Sequence, residues 1–438
     1  MTFSWVRRRP GGTVATSALH QAQAQFDGAA RALGLSEAEA EVLRAPRREL
    51  HLRFSVRLDD GAMRVLSGFS ILHNDVLGPA KGGLRFHPQE SADRVRALAM
   101  GRTWQAAALD LPLGGCAGGV ICDPHGFSER ELAAICRAWV RAAQASLGAR
   151  RLVLGPELMA GERELQWALD EHERLVGRHE PGAFSGKGLG LGGSRGHAEA
   201  TGYGLVYVLR EALRDAGLSP GAVRASVQGF GSVARHAIAL FAQLGGTVSC
   251  VASWDQAAGC ARAYTKPGGV QLAELAPIAD RYGGIDPAAA AARGYAVLPG
   301  EAWLEQEVEV LVPAALEGQL RADNVGRVHP AVRFLLEGAS GALETDAATQ
   351  LAARGVRELP ELIAGAGAML CGYFEQVQGE INHAWELDEV LGRLDLKLTE
   401  AYQNIGALAE RRGLGLREAA LLLATERVAA ACRSRRWV

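Results

Sequence analysis

Residues 223–240 read VRASVQGFGSVARHAIAL, and this stretch decides the fold. The apolar residues before Gly229 form a short buried strand, and those after Gly231 recur at helical spacing. Together with Ala234 these glycines make a GxGxxA pattern between strand and helix. The first glycine makes the turn, the second lets a pyrophosphate approach the helix N-terminus, and the small third residue permits close packing. The stretch therefore predicts a dinucleotide-binding βαβ unit; the alternative is a tight turn that binds nothing.

The predicted cofactor contacts lie in this loop and at the end of the following strand. The loop contacts are Gly229, Gly231, Ser232, Val233 and Ala234. The next strand, TVSCVASWD (247–255), should end in a carboxylate for the ribose hydroxyls. By spacing that position is Ser253, and the first carboxylate is Asp255, two residues later. The sequence predicts NAD(P) binding that is weakened by the displaced carboxylate.

Composition narrows the classes of function. The chain has 438 residues, 48% of them apolar, and its 54 glycines are typical of α/β proteins with many tight turns. A net charge of −2 argues against nucleic acid or anionic membrane as a partner. No apolar run approaches the roughly 20 residues that span a bilayer. With no secretion signal and seven scattered cysteines, we expect a cytoplasmic protein without a metal site.

The order of patterns predicts an α/β chain with two main domains. We expect a disordered tail and three folded regions, with boundaries at 1–15, 16–190, 191–365 and 366–438. The first folded region begins with a helix to about residue 43, and the last is largely helical. The glycine-rich residues 185–204 indicate a flexible linker between the domains.

A second glycine-rich stretch, LPLGGCAGGV at 111–120, raises a different question. Four glycines surround Cys116 and Ala117. Such density indicates a loop to which a ligand comes very close. The stretch nevertheless offers no charged, hydroxyl or imidazole group for that ligand.

The motif GPAKGGLRFHP (78–88) resembles the glutamate dehydrogenase family, which includes the Glu, Leu, Phe and Val dehydrogenases. LPLGG, GERELQWALDE, EATGYG, VQGFGSVA, LVPAAL, EGASG and YFEQVQ match it in order, from about residue 40 to 380. The resemblance implies an N-terminal α/β domain with a mixed sheet, a Rossmann-like domain, and a cleft between them for chemistry. It implies that the final helices pack back on the first domain and that the protein is a hexamer. The family transfers hydride from Cα of glutamate to NAD(P), giving 2-oxoglutarate and ammonia.

Carried over residue by residue, the resemblance leaves the substrate positions partly intact. Lys81 matches the first substrate-binding lysine of the family, and Thr201 also matches. Gln105 stands where the family has a second lysine, so a hydrogen-bonding amide replaces a charge. Gly372 stands where the family has a serine near the distal carboxylate of the substrate.

The catalytic positions depart further. The glycine-rich stretch 111–120 resembles the loop that holds the catalytic lysine of the family, and here that position is Ala117. The proton-shuttling aspartate is matched by Glu157, whose carboxylate is displaced by one methylene. Acid–base groups of this kind contribute typically about 10²–10⁴-fold each. We therefore expect almost no glutamate oxidation by this chain alone.

The intact fold pattern beside degenerate catalytic positions favours a non-catalytic, regulatory subunit. Such a subunit would assemble in a hetero-hexamer with a catalytic homologue and report an amino-acid effector such as leucine or glutamate. Arg137 and Asp170 match positions where some family members bind an activating amino acid. The alternative for these two residues is an ordinary surface ion pair.

Two other functions remain open from the sequence. An active amino-acid dehydrogenase could use Glu157 with Lys81 or Lys187 in new roles. A non-enzymatic amino-acid sensor would act without any dehydrogenase partner. Turnover by the isolated chain, and its effect on a catalytic homologue, separate the three hypotheses.

Overall fold

A computed structural model describes residues 18–280 and 282–438, so the predicted tail at 1–15 lies outside the described residues. The described chain divides into two compact units. The N-terminal unit contains residues 18–197, 368–393 and 418–438. The central unit contains the described residues of 198–367 together with 394–417. In the part of the chain described, no helix is both long and apolar enough to cross a membrane.

The N-terminal unit is built on a mixed five-stranded sheet, as the sequence predicts. Its strands are β1 (Arg48–Arg57), β2 (Met63–Asn74), β3 (Ala80–Phe86), β4 (Gly114–Val120) and β5 (Leu152–Pro156). They lie in the order β1-β2-β4-β3-β5. β2 pairs antiparallel with β1 and β4, whereas β3 pairs parallel with β4 and β5. The parallel strands therefore bring their carboxyl ends to one edge of the sheet.

Helices cover both faces of this sheet. They are α1 (Ala18–Ala32), α2 (Glu37–Arg44), α3 (Ala92–Ala108), α4 (Glu129–Ala143) and α5 (Glu162–Val176). α4 and α5 bury Trp139 and Leu165 in the main core, and α3 packs Val95 and Ala99 against β2 on the other face. The helical segment predicted up to about residue 43 consists of two helices, α1 and α2. Gly34 (φ +65°) follows α1, and α2 begins with a capping box of Ser36 and Glu39.

The central unit has a seven-stranded sheet. Its strands are β6 (Arg224–Gln228), β7 (Thr247–Asp255), β8 (Cys260–Thr265), β9 (Ala296–Pro299), β10 (Val310–Pro313), β11 (Phe334–Leu336) and β12 (Arg357–Leu359). The order is β12-β11-β10-β6-β7-β8-β9. The first five of these are parallel, and β8 and β9 are antiparallel additions. This is the Rossmann-like architecture expected from the βαβ pattern.

The helices of the central unit complete that pattern. They are α6 (Ala200–Asp215), α7 (Ser232–Gln243), α8 (Leu272–Leu275), α9 (Pro287–Ala292), α10 (Thr345–Ala353) and α11 (Glu361–Ala364). α7 follows the glycine loop directly and packs on α6. A Cβ on Gly202 of α6 would lie 2.6 Å from the Val233 carbonyl oxygen, so the glycine permits this close approach.

The last helices are α12 (Gly367–Ile381), α13 (Leu387–Arg412) and α14 (Leu416–Ser434). The sequence assigns residues 366–438 to a region that returns to the first domain. In the structure most of α13 belongs to the central unit instead. The reason is its polar contact with α6: Arg210 makes a bidentate ion pair with Asp395 at 2.6 and 2.8 Å, and Tyr402 donates to Asp215 at 2.6 Å.

The glycines of LPLGGCAGGV form a strand, which corrects the predicted loop. All seven residues of β4 are buried between helices. A Cβ on Gly115 would overlap the backbone of Thr103 in α3, and one on Gly118 would lie 3.0 Å from the ring of Trp139 in α4. Because these glycines have no side chains, α3 and α4 can pack close to the backbone of β4 from its two faces.

The predicted linker at 185–204 is also different in the structure. Ser185, Lys187 and Ser194 are buried in the N-terminal unit. The Ser185 amide donates to the Leu154 carbonyl of β5 at 2.9 Å, which fixes the start of the segment. The division between the units falls at residue 197/198, just before α6.

Candidate functional site

Lys81, the second residue of β3, is buried against α12. Its Nζ donates to the Ser185 hydroxyl at 2.8 Å, and the residue is 2% exposed. A Cβ on Gly372 of α12 would lie 2.5 Å from Cε of Lys81 and 2.9 Å from Nζ. Burial, with the nearby charge of Lys187 adding to it, lowers the pKa of Lys81 to about 8. The missing side chain at 372 therefore leaves the space that the lysine fills.

The side chain of Arg102 contacts two predicted site residues, Gln105 and Glu157. It lies on α3, three residues before Gln105, so the two side chains share a helix face. Nη1 of Arg102 donates to Oε1 of Gln105 at 2.7 Å, and Nη2 lies 3.1 Å from Oε2 of Glu157. A guanidinium thus lies between the side chains of Gln105 and Glu157, two of the predicted site residues.

Glu157 is held by the turn that follows β5. Its backbone N–H and C=O both bond to Ala160 at 3.1 Å, with Met159 at φ +59°. The side chain packs over β3, because a Cβ on Gly83 would lie 2.6 Å from Cβ of Glu157. Backbone turn, glycine and ion pair together fix the carboxylate in one place.

Ala117 is surrounded by apolar side chains. It is buried in the middle of β4 and clusters with Phe69 and Ile71 of β2 and with Val95 and Ala99 of α3. The methyl group completes this small core between the sheet and α3. The position predicted for a catalytic amine is therefore a packed apolar position.

Lys187 is committed to a buried ion pair. Its Nζ donates to Oε1 of Glu375 at 2.6 Å and to the Phe184 carbonyl at 2.9 Å, and both charged side chains are inaccessible to solvent. Burial alone would raise the pKa of Glu375, but His197 and Lys187 hold it at about 2. The pair anchors α12 to the segment after β5.

The whole chain has four lysines. Lys81 and Lys187 are the two of the N-terminal unit, and both amines are bonded in its interior. Lys266 pairs with Glu274 at 2.8 Å, and Lys397 with Glu400 at 3.3 Å, both within the central unit. Each of the four amines already has a partner.

Arg137 of α4 and Asp170 of α5 form an ion pair, so the structure brings these two predicted residues together. Beside them lies Glu171, whose side chain is fully buried. It accepts from Arg141 and from Arg174 at 2.8 Å, and these hydrogen bonds keep its pKa below the ordinary value although burial opposes this. The result is a group of three arginines beside the exposed carboxylate of Asp170 and the buried carboxylate of Glu171.

The predicted cofactor residues lie at the start of α7 in the central unit. Gly229 has φ +102° and faces the Ala314 carbonyl, which only a glycine permits. Gly231 has open space at its Cβ position, and Ser232 is exposed. Val233 and Ala234 follow in the first turn of the helix, and Ala234 is buried. The close strand–helix turn expected from GxGxxA is present.

Two further predicted residues belong to the central unit. Thr201 is in the first turn of α6. Asp255 ends β7, and its Oδ1 accepts the amides of Ala257 and Ala258 at 3.1 and 3.0 Å. That carboxylate therefore caps its own hairpin turn.

Sequence reasoning missed Arg102, Ser185 and Glu375. Arg102 could have been found from its i, i+3 spacing to Gln105. Ser185 and Glu375 carry no such signal, because their partners are 104 and 188 residues away along the chain.

Two family models match this chain, one in its N-terminal part and one in the remainder. The family model described as glutamate/leucine/phenylalanine/valine dehydrogenase matches residues 192–436. The model described as the dimerisation domain of these dehydrogenases matches residues 46–174.

Curated relatives match along almost the whole chain. The glutamate dehydrogenase of Thermotoga maritima is 35% identical over 412 residues, which is 94% of this chain and 96% of that protein. The NAD-specific glutamate dehydrogenase of Peptoniphilus asaccharolyticus is 31% identical over 417 residues, covering 95% and 97%.

Solved structures of glutamate dehydrogenases are also similar to this chain along almost its whole length. A chain of the hetero-hexameric glutamate dehydrogenase from Thermus thermophilus, in a leucine-bound form, superposes with a TM-score of 0.86 at 32% identity and covers 98% and 99% of the two chains. The glutamate dehydrogenase of Peptoniphilus asaccharolyticus gives a TM-score of 0.82 at 30% identity, covering 96% and 100%.

Proposed function

The chain belongs to the glutamate/leucine/phenylalanine/valine dehydrogenase family, and on that premise we propose that it is a regulatory, catalytically impaired subunit. It would assemble with a catalytic glutamate dehydrogenase homologue and respond to an amino-acid effector. The proposal has one principal support, the missing amine at position 117, and two secondary ones, the state of Glu157 and the Arg137–Asp170 pair.

The missing amine is the observation that carries the proposal. Amine oxidation at Cα requires a base near the reacting carbon, and a lysine with a lowered pKa is suited to it. Ala117 stands there in an apolar cluster, and the two lysines of the same unit are buried with partners. No amine replaces the absent one without rearrangement of the interior.

The ion pair of Glu157 supports the same conclusion. A proton-shuttling carboxylate must reach its substrate and change protonation state during the reaction. Here the guanidinium of Arg102 lies 3.1 Å from the Glu157 carboxylate and holds it in an ion pair. Arginine does not titrate near neutral pH and supplies no proton transfer of its own.

The effector part of the proposal rests on Arg137 and Asp170. An amino-acid head group needs a cation for its carboxylate and an anion for its ammonium group. The two residues supply both charges on adjacent helices. Since the pair is partly exposed, a zwitterion can exchange for it at low cost. The leucine-bound form of the Thermus thermophilus hetero-hexamer makes leucine the first effector to test.

One observation favours a second candidate, an active amino-acid dehydrogenase. The pKa of Lys81 is lowered to about 8 by burial, as a catalytic amine requires. Its Nζ, however, is bonded to Ser185 and the residue is 2% exposed. Catalysis by Lys81 would require the side chain to leave this position.

The deciding experiment compares the purified chain, a catalytic homologue from the same source, and their co-assembled complex. NADH formation from glutamate is followed with and without leucine. We expect a rate near background for the chain alone, and a leucine response in the complex that the homologue alone lacks. Turnover by the isolated chain that Lys81→Met abolishes would establish the second candidate. No turnover and no effect on the homologue would indicate a sensor without a dehydrogenase partner.

A further inference from the structure

The fold implies a nicotinamide dinucleotide in the central unit, and the residues around the glycine loop allow a test of fit. The pyrophosphate end fits. Gly231 has nothing within 4 Å of its Cβ position, and α7 begins without a side-chain cap, so its first amides are open to an anion. A phosphate group can approach the loop as the GxGxxA pattern predicts.

The ribose end does not fit. In this fold the adenosine ribose lies between the glycine loop and the carboxyl end of the next strand, here β7. Residues 282–285, the covering turn, cross that gap. A Cβ on Gly283 would lie 2.6 Å from the carbonyl carbon of Phe230 and 2.7 Å from the amide nitrogen of Gly231. The backbone of Gly283 is therefore packed directly on the loop.

The other end of the covering turn is fixed to β7. A Cβ on Gly284 would lie 2.9 Å from the Trp254 carbonyl oxygen. The amide of Ile285 donates to the Ser253 hydroxyl at 3.1 Å, and its carbonyl accepts from the buried Tyr264 hydroxyl at 3.0 Å. The position that spacing assigns to the ribose carboxylate, Ser253, is thus bonded to the turn.

Asp280 holds the covering turn in shape. Its Oδ1 accepts the amides of Tyr282 at 2.7 Å and Gly284 at 2.9 Å, and its backbone N–H donates to the Gly284 carbonyl at 2.8 Å. Ile285 is 2% exposed. These hydrogen bonds and the buried Ile285 side chain make the covering turn an ordered part of the central unit.

The acidic residue at the end of β7 is also unavailable. Asp255 uses Oδ1 to cap its own hairpin, and Oδ2 lies 3.7 Å from Arg262. A ribose would have to displace the covering turn and would then meet no uncommitted carboxylate at the end of β7.

We infer that this chain does not bind NAD(P) in the pose for which its glycine loop is shaped, because the covering turn occupies the position of the adenosine ribose. The inference concerns binding and is independent of the degenerate catalytic positions in the N-terminal unit. If NADH binds but nothing is oxidised, this inference fails and the proposed function stands.

The test is equilibrium binding of NADH, NADPH and ADP-ribose to the full chain. Trp254 lies beside the gap, so a bound nicotinamide cofactor would accept energy from tryptophan and reveal itself by emission. We expect no saturable binding of any of the three up to about 1 mM, a limit near −4 kcal/mol. Saturable binding with a Kd well below that limit overturns the inference.

Hydrogen exchange gives a second measurement on the unaltered protein. We expect the peptide that spans Gly229–Ala234 to exchange at the same rate with and without NADH. Slower exchange of that peptide on addition of NADH would show an occupied loop and would overturn the inference even if fluorescence were silent.

Variants then test whether the covering turn is the obstacle. Asp280→Ala combined with Ser253→Ala removes three side-chain acceptor bonds to the turn and should bring NADH affinity at least about tenfold above the wild-type limit. Asp286→Ala is the matched control, since Asp286 caps α9 through Ala288 and Ala289 and makes no bond to the turn. A folded double variant that still binds no NADH overturns the role of the turn; if the double variant does not fold, Ser253→Ala alone replaces it.

Discussion

The space of a missing side chain at Gly372 is filled by the side chain of Lys81. A Cβ on Gly372 would lie 2.5 Å from Cε of that lysine, whose Nζ is bonded to Ser185. The two positions are 291 residues apart in sequence (372 − 81) but form one steric unit. A side chain at 372 would therefore require the end of the Lys81 side chain to move from its present position.

Gly372→Ala should therefore destabilise the protein although alanine favours helices. Overpacking costs about 1–3 kcal/mol, and helix propensity returns up to about 1 kcal/mol. We expect a net loss of about 1–2 kcal/mol in urea denaturation. In a Lys81→Ala background the same change should be neutral or stabilising, because the clash is removed. Equal effects in both backgrounds would show that the two residues are not coupled.

Gly392→Ala is the matched control for this cycle. Gly392 lies within α13, and a Cβ there meets nothing within 4 Å. Alanine should stabilise the helix by up to about 1 kcal/mol, whatever residue occupies position 81.

Lys81 should also make stability depend on pH in the alkaline range. The pKa of Lys81 is about 8 in the folded protein, whereas the ordinary lysine value, which applies to the unfolded chain, is 10.5. Between these values the unfolded chain keeps the proton and the folded chain does not, so stability rises with pH. Relative to Lys81→Met, the wild type should gain on the order of 3 kcal/mol from pH 7 to 10.5. Urea midpoints measured across that range test this, and parallel curves for the two proteins would contradict it.

The fold could be predicted from sequence where periodicity and turn chemistry act locally. The GxGxxA turn predicted β6, α7 and the parallel sheet, and α4 begins with a local capping box of Ser128 and Glu131. The glycines of β4 led to a wrong prediction of a loop. A high density of glycine does not distinguish a ligand-binding loop from a strand packed closely between helices. That distinction depends on Thr103 and Trp139, which are distant in sequence from some of the glycines that they contact.

The sequence could indicate which residues belong to the candidate site, but it indicated only part of how their side chains are bonded. The resemblance named Lys81, Gln105, Ala117 and Glu157, and the structure has them on β3, α3, β4 and the turn after β5. The resemblance did not predict the ion pair between Arg102 and Glu157, because that pair depends on α3 and the turn after β5 lying close together in the fold. Asp255 could be located at the end of β7, but its use as a turn cap depends on backbone amides that carry no sequence signal.

Gly115→Ala should be severely destabilising if the β4 glycines serve packing. A Cβ there would overlap the Thr103 amide and lie 2.5 Å from the Ala99 carbonyl oxygen, and backbone atoms cannot move aside as a side chain can. We expect a loss of about 3 kcal/mol or more in chemical denaturation. Gly101→Ala, at an open position of α3, is the control and should gain up to about 1 kcal/mol. Similar stabilities of the two variants would refute the packing role.

Arg137→Ala and Glu171→Gln should separate effector binding from structural support. Arg137 pairs with the partly exposed Asp170 and also lies 3.4 Å from Oε2 of the buried Glu171, so Arg137→Ala should cost about 1 kcal/mol and abolish the leucine response of the mixed oligomer. Glu171 is fully buried between Arg141 and Arg174, and its amide variant should lose about 2 kcal/mol. Arg163→Ala is the control, because Arg163 pairs with Glu129 between the same two helices and with Glu164 on α5. A leucine response in Arg137→Ala at the wild-type concentration, measured as NADH formation, would remove Arg137 from the effector site.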